Sequence, residues 1–227
     1  MTPYWKHCSD QDELLILFNG WGCDETPYEN IDIGQRDFLI LSDYTEIGDF
    51  DFGFLDAYRQ KTVLAWSFGV YIASYFLATR QITCSRAIAV NGTPCPIDDQ
   101  YGIPKAIFDG TLNSYNEENR RKFERRMLGH ARRLFSDDTL FSKRTTSSQL
   151  GELAALASHV CTKVEAEFYH HSLWSLALIA EQDRIFPHEN MKRYWEGKSL
   201  SVAGDHFPDF SMIMDRYCFS DSLDIEI

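Results

Sequence analysis

A serine held on a sharp turn between a strand and a helix is set up as a nucleophile, and Ala65-Trp66-Ser67-Phe68-Gly69 has that form. An apolar run, residues 62–65, leads into it, and a mostly apolar stretch over residues 68–79, long enough for a buried helix, follows. The positions two before and two after the serine must be small, because strand and helix cross there without room for side chains. Ala65 and Gly69 meet that need, although Ala stands where such elbows usually carry a first Gly. Taken alone, the pentapeptide is equally a helix N-cap, a role that serine favours.

A serine nucleophile needs a base, and the base needs an acid to orient it. Residues 180–187 follow the apolar run 172–179 and set Asp183 just past a strand end, ahead of a helix opened by Pro187; Glu181 is the competing carboxylate. Gly204-Asp205-His206-Phe207-Pro208 follows the last apolar run and sets His206 in a glycine-bearing loop. A loop histidine alone says little in a chain with 7 of them. The order Ser67, Asp183, His206 is what matters: nucleophile, acid, histidine is the α/β-hydrolase order and differs from the other two common triad orders. Phe18-Asn19-Gly20-Trp21-Gly22, again just past a strand, is a loop able to turn a backbone N–H inward. The N–H groups of Trp21 and Phe68 are the expected oxyanion donors. This chemistry requires no metal and no organic cofactor.

Groups so far apart in the chain need a scaffold. Apolar runs at 14–19, 38–42, 62–67, 87–91, 172–180 and 199–203 read as strands covered on both faces, hence a mostly parallel sheet in an α/β fold. Between residues 93 and 171 the regularity breaks, opening with Pro94, Pro96, Gly102 and Pro104. Two helical patterns follow. The first, 117–135, aligns Phe123, Met127, Ala131 and Leu134; the second, 148–168, aligns Leu150, Leu153, Ala157, Val160, Val164 and Phe168, with Thr146 and Gln149 at capping-box spacing. The expected organisation is a compact hydrolase core over 1–92 and 171–227 with a helical cap inserted over 93–170. A pair of ordinary crossover helices is the alternative.

The 227 residues carry 22 Lys+Arg against 34 Asp+Glu, a net charge of -12, which disfavours nucleic acid and anionic membrane as partners. The longest strictly apolar run, Leu14 to Phe18, is far short of a membrane span, and the first residues lack a signal peptide's apolar stretch. A cytoplasmic monomer is expected. The 6 cysteines include no pair at two-residue spacing and read as small hydrophobes, with Cys84 and Cys161 in stretches of buried character. Charge is not uniform. From Arg120 to Arg144 nine basic residues face three acidic ones, net +6. On a continuous helix Arg121, Arg125 and Arg132 form one row, and Lys122, Arg126 and Arg133 the adjacent one.

The chain resembles the pimeloyl-acyl-carrier-protein methyl ester esterases of biotin synthesis, in their compact BioG type. The resemblance rests on Phe18-Asn19-Gly20-Trp21-Gly22, on Ala65-Trp66-Ser67-Phe68-Gly69 with Val70, on Asn91-Gly92-Thr93-Pro94, on Gly204-Asp205-His206 and on chain length. It implies Ser67, Asp183 and His206 as a triad, Trp21 and Phe68 as the oxyanion hole, and removal of the methyl group that disguises the distal carboxylate of the pimeloyl chain. It also implies an acyl carrier protein as partner. Carriers are acidic, so the two basic rows read as its dock. A general carboxylesterase or thioesterase of the same fold is the alternative, and a non-catalytic binding protein of that fold a second one.

Overall fold

Strands buried on both faces lose the alternation of polar and apolar residues, and the sheet of this chain is built that way. The computed structural model describes residues 1–9, 12–48, 50–134, 141–162 and 171–220. Among them β1 (Thr2–His7), β2 (Glu13–Phe18), β3 (Asp37–Ser42), β4 (Gln60–Trp66), β5 (Arg86–Val90), β6 (Leu176–Ala180) and β7 (Ser199–Val202) form one sheet in the order β1-β3-β2-β4-β5-β6-β7. All neighbours are parallel except β1, which pairs antiparallel with β3 at the edge. Side chains alternate between two cores. Ile16, Phe18, Leu39, Leu41, Val63 and Ala65 pack on one face, Leu15, Leu17, Phe38, Ile40, Leu64 and Trp66 on the other.

β1 escaped the sequence reading because an edge strand needs no continuous apolar run: Tyr4 is exposed, and Pro3 and Lys6 interrupt the pattern. α1 (Phe68–Thr79) follows β4 as expected and is buried nearly all round. α5 (His188–Tyr194) follows Pro187, and α6 (Phe210–Ile213) is capped by the Asp209 carboxylate, which accepts from the Met212 N–H.

Between β5 and β6 lie α2 (Lys105–Ser114), α3 (Glu117–Leu128), a 3-10 stretch (Gly129–Leu134) and α4 (Thr146–Thr162). α2 was not anticipated; Phe108 is its one fully buried residue, so its apolar periodicity is faint. α3 is shorter than the pattern 117–135. It stops where Gly129 turns to φ +47°, and a Cβ there would stand 1.9 Å from Cγ of Asp205. Arg132 and Arg133 therefore leave the helix that carries Arg121, Lys122, Arg125 and Arg126, and the two expected rows are broken. The capping box is also displaced. Thr145, not Thr146, caps α4 by accepting from the Ser148 N–H, and Gln149 turns inward. The extension of that pattern to Val164 and Phe168 lies outside the described residues, as does Phe135.

Among the described residues the segment between β5 and β6 has no separate core. Phe108, Tyr115, Leu153 and Leu156 join one sheet-face cluster, and Met127, Leu128 and Phe141 join the other. The cysteines are unpaired, and their burial differs from expectation. Cys161 is exposed and Cys84 half-buried, whereas Cys23 and Cys218 are buried.

Candidate active site

Every strand from β2 to β7 except β3 delivers a site residue from its carboxyl end, where open α/β sheets build their clefts. Ser67 follows β4 with φ +59° and ψ −127°, a conformation that costs a residue with a Cβ about 1–3 kcal/mol. The surrounding backbone enforces it. The Ser67 N–H donates to Val90 O at 2.9 Å, and its carbonyl accepts from Val70 at 3.1 Å. Gly69 permits the crossing, since a Cβ there would lie 2.1 Å from Phe18 O. Gly92 does the same on the other side, where a Cβ would lie 2.3 Å from Ser67 O. The Ser67 side chain makes no N-cap bond. Its Oγ lies 3.0 Å from His206 Nε2 instead.

The relay continues without a break. His206 Nδ1 is 2.7 Å from Asp183 Oδ2, and both side chains are sealed from solvent. A carboxylate only accepts, so Nδ1 carries the proton and Nε2 is left to accept from the Ser67 hydroxyl. The other oxygen of Asp183 accepts from the N–H groups of Ile185 and Phe186 at 2.7 and 2.9 Å, which fixes the carboxylate. Glu181, the competing acid, is exposed, and its carboxylate accepts from Gln182 Nε2 at 3.4 Å. The imidazole stacks on Phe186 with the planes 3° apart, and its backbone carbonyl accepts from Trp66 Nε1 and Asn91 Nδ2. Asn91, at φ +48°, also accepts from the Ala180 N–H and so ties the ends of β5 and β6 to the histidine loop.

The loop after β2 closes the site from the opposite side. Trp21 and Phe68 line the same cleft as Ser67 and His206. Among the described residues no hydrogen bond engages the backbone N–H of either one. The cleft is narrow, with about 40 Å³ of accessible volume, and Ile103, Phe108, Phe123, Met127 and Leu153 make it mainly apolar. Arg126 and Arg184 are its cationic members. Its lining suits an aliphatic group.

A family model for the pimeloyl-ACP methyl esterase BioG matches residues 3–214. The chain belongs to the BioG family. It is 39% identical over 184 residues to the malonyl-[acyl-carrier protein] O-methyltransferase of Bacteroides fragilis, covering 81% of this chain and 36% of that protein. The chain thus spans about a third of that relative's length. A crystal structure of BioG from Haemophilus influenzae superposes with a TM-score of 0.77 at 33% identity, covering 91% of this chain and 94% of that one. MGS-M2, an α/β hydrolase from a deep-sea metagenome library, shares the fold at 15% identity, with a TM-score of 0.61 over 99% of this chain and 97% of its own. The architecture is an α/β-hydrolase fold with a mostly parallel sheet.

The basic segment of this BioG-family chain divides by role. Arg120 is buried, paired with Glu124 at 2.8 Å, and donates to the carbonyls of Ser142 and Arg144. Arg144 pairs with Asp43 and with buried Glu152, and Lys143 pairs with Glu29. Arg120 and Arg144 thus brace the fold, whereas the Lys143 pair is exposed. Arg121 and Lys122 are exposed on α3 and pair with Glu117 and Glu118, one turn earlier, at 3.8 and 2.6 Å, and Arg125 is exposed one turn on. Arg132 and Arg133 are exposed on the 3-10 stretch, and Arg126 leans over the Phe123 ring at the cleft. Sequence reasoning missed Gln149, Glu152, Asp205 and His130. Only the buried acid on α4 left a signal, a Glu inside an apolar helical stripe.

Proposed function

We propose that the chain hydrolyses the methyl ester of pimeloyl-acyl-carrier protein, releasing methanol and the free distal carboxylate, with Ser67, His206 and Asp183 as its triad. The observation that carries this is the unbroken Ser67–His206–Asp183 relay, opening on an apolar cleft in a BioG-family chain. His206 Nε2 takes the Ser67 proton as Oγ adds to the ester carbonyl. The N–H groups of Trp21 and Phe68 receive the oxyanion; loss of one such donor costs ~10²–10³ in rate. The imidazolium, steadied by Asp183, then protonates the departing methoxide. Water adds to the acyl-enzyme by the same route and regenerates Ser67.

The substrate's thioester is chemically easier to cleave than its methyl ester, so selectivity rests on placement. In this reading residues 93–170 are a cap, and an acidic carrier docks on its exposed Arg121, Lys122 and Arg125 while its arm threads the distal ester to Ser67. A cytoplasmic monomer belongs to the same proposal. Among the described residues no helix is long and apolar enough to cross a membrane. The Bacteroides relative is named for O-methylation of malonyl-acyl-carrier protein, the reaction type that installs such an ester.

Turnover of methyl pimeloyl-carrier, a free short-chain methyl ester and an acyl-CoA tests the reading. The carrier-linked methyl ester should be preferred, and Ser67→Ala should remove about 10⁴–10⁶ of the rate. Preference for the free ester or the thioester would select the general esterase or thioesterase. Failure of a fluorophosphonate to label Ser67 would leave a binding protein.

A further inference from the structure

The oxyanion loop makes its polar contacts with α4 as much as with the sheet. The Trp21 indole Nε1 donates to the Gln149 carbonyl at 2.7 Å. The Gly22 carbonyl accepts from Gln149 Nε2 at 2.7 Å, and the Gly22 N–H donates to Glu152 Oε2 at 3.0 Å. Gln149 is itself fixed, since its Oε1 accepts from the Tyr115 hydroxyl at 2.9 Å. The other oxygen of Glu152 accepts from the Tyr44 N–H at 3.0 Å, past the end of β3, and Arg144 closes the carboxylate. Gln149 and Glu152 are one helical turn apart and essentially buried. Gly22 needs its φ of +77° to present both its N–H and its carbonyl to them, and a Cβ there would approach Gln149 Nε2 to 3.2 Å.

Burying a carboxylate carries a penalty of several kcal/mol unless partners surround it. Glu152 has three, and two of them are backbone N–H groups from loops at the ends of β2 and β3. Its location follows from the loops it joins. Gly22 is held at both its N–H and its carbonyl, the Trp21 ring is pinned, and the Gly20 carbonyl, in the peptide that carries the Trp21 N–H, accepts from the Cys23 N–H at 3.4 Å, so the peptides on both sides of Trp21 are anchored where this residue lines the cleft.

We infer that Gln149 and Glu152 are positioning residues for the oxyanion hole, holding Trp21–Gly22 from α4 so that the Trp21 N–H meets the developing charge on the substrate. This rests on the esterase reading above. The inserted segment then contributes to the chemical step as well as covering the cleft, because unseating α4 disassembles one of the two oxyanion donors.

Glu152→Gln and Gln149→Ala test it, each compared with wild type for folding by circular dichroism and urea unfolding. A free methyl ester is the substrate, and an alkyl trifluoromethyl ketone, whose Ser67 adduct carries an oxyanion, is the inhibitor. Displacing the donor by about 1 Å is expected to lower kcat by about 10–100-fold with KM within about 2-fold. The ketone's Ki should rise by the same factor as kcat/KM falls, which a merely structural defect would not produce. Gln149→Ala keeps the helix backbone and its bond to Trp21, so it reports even where Glu152→Gln fails to fold. A folded variant with unchanged kcat and Ki, or with lost kcat and unchanged Ki, overturns the positioning role. Wild-type protein that neither turns over the ester nor binds the ketone overturns the esterase reading and this inference with it.

Discussion

One carboxylate oxygen, Oδ2 of Asp205, holds both the backbone N–H and the Nδ1 of His130, each at 2.8 Å. Asp205 is buried beside His206, whereas the His130 ring is largely exposed on the 3-10 stretch after α3. With the Phe207 N–H donating to Met127 O at 2.9 Å, the end of α3 is clasped to the loop that carries His206. Gly129 makes the clasp possible. Gly129→Ala adds a methyl 1.9 Å from the Asp205 carboxyl carbon at a φ of +47°, so a loss of about 2–5 kcal/mol is expected, with lowered kcat. His130→Ala keeps the N–H bond and should cost under about 1 kcal/mol. Urea unfolding of both variants checks this, and equal effects would dismiss the close approach as the cause.

Gly92→Ala probes the elbow from the side of β5. Its methyl would fall 2.3 Å from the Ser67 carbonyl, and that carbonyl also accepts from Val70 at 3.1 Å. The serine must shift, and kcat should fall by about 10–100-fold with KM little changed. Full activity in the folded variant would mean that the turn absorbs the methyl elsewhere.

Reversing charge separates the two kinds of basic residue. Arg121→Glu with Arg125→Glu alters exposed positions on α3, and KM for a carrier-linked ester should rise about 10-fold while a small free ester is unaffected. The rise should shrink at high salt. Arg120→Glu leaves Glu124 and two carbonyls without their buried cation, and about 3–5 kcal/mol of stability should go, with both substrates affected alike. Equal losses on both esters in the α3 double variant would refute the dock.

Alkali should weaken the fold. Burial pushes the Cys95 and Cys218 thiols up to about 12 from an ordinary 9.0, and raises Cys23, Tyr28 and Tyr44 well above their usual range. The unfolded chain releases these protons first, so above pH ~9 the native state binds more protons and stability falls as pH rises. Stability from these groups is whole below that pH. The urea midpoint, constant from about pH 7 to 8.5 as far as these groups contribute, should drop steadily by pH 10.5, and Cys218→Ala should shallow the slope. A flat profile would mean that they stay hydrated.

Chemistry and scaffold were legible to different depths. The elbow could be read because steric crowding restricts Ala65 and Gly69 locally, and β2 to β6 because burial on both faces writes itself as continuous apolar runs. β1 could not, since an edge strand is covered on one side and tolerates Pro3 and Lys6. The helix expected through residue 135 failed for a long-range reason. Gly129 breaks it to clear Asp205, 76 positions away in the chain, and periodicity has no term for that contact. Charge counting likewise could not tell Arg120, which braces a loop, from Arg121 beside it. Helical phase points them apart only once the partners of each face are known.

The left-handed φ of Ser67 has an evolutionary cost. Any residue with a Cβ is strained at +59°, so for folding alone glycine is the best occupant of position 67. Ser67→Ala keeps the strain and loses the hydroxyl, whereas Ser67→Gly loses the hydroxyl and relieves the strain. A population selected only for heat resistance would discard this serine early. A serine at this position therefore trades stability for what its hydroxyl can do.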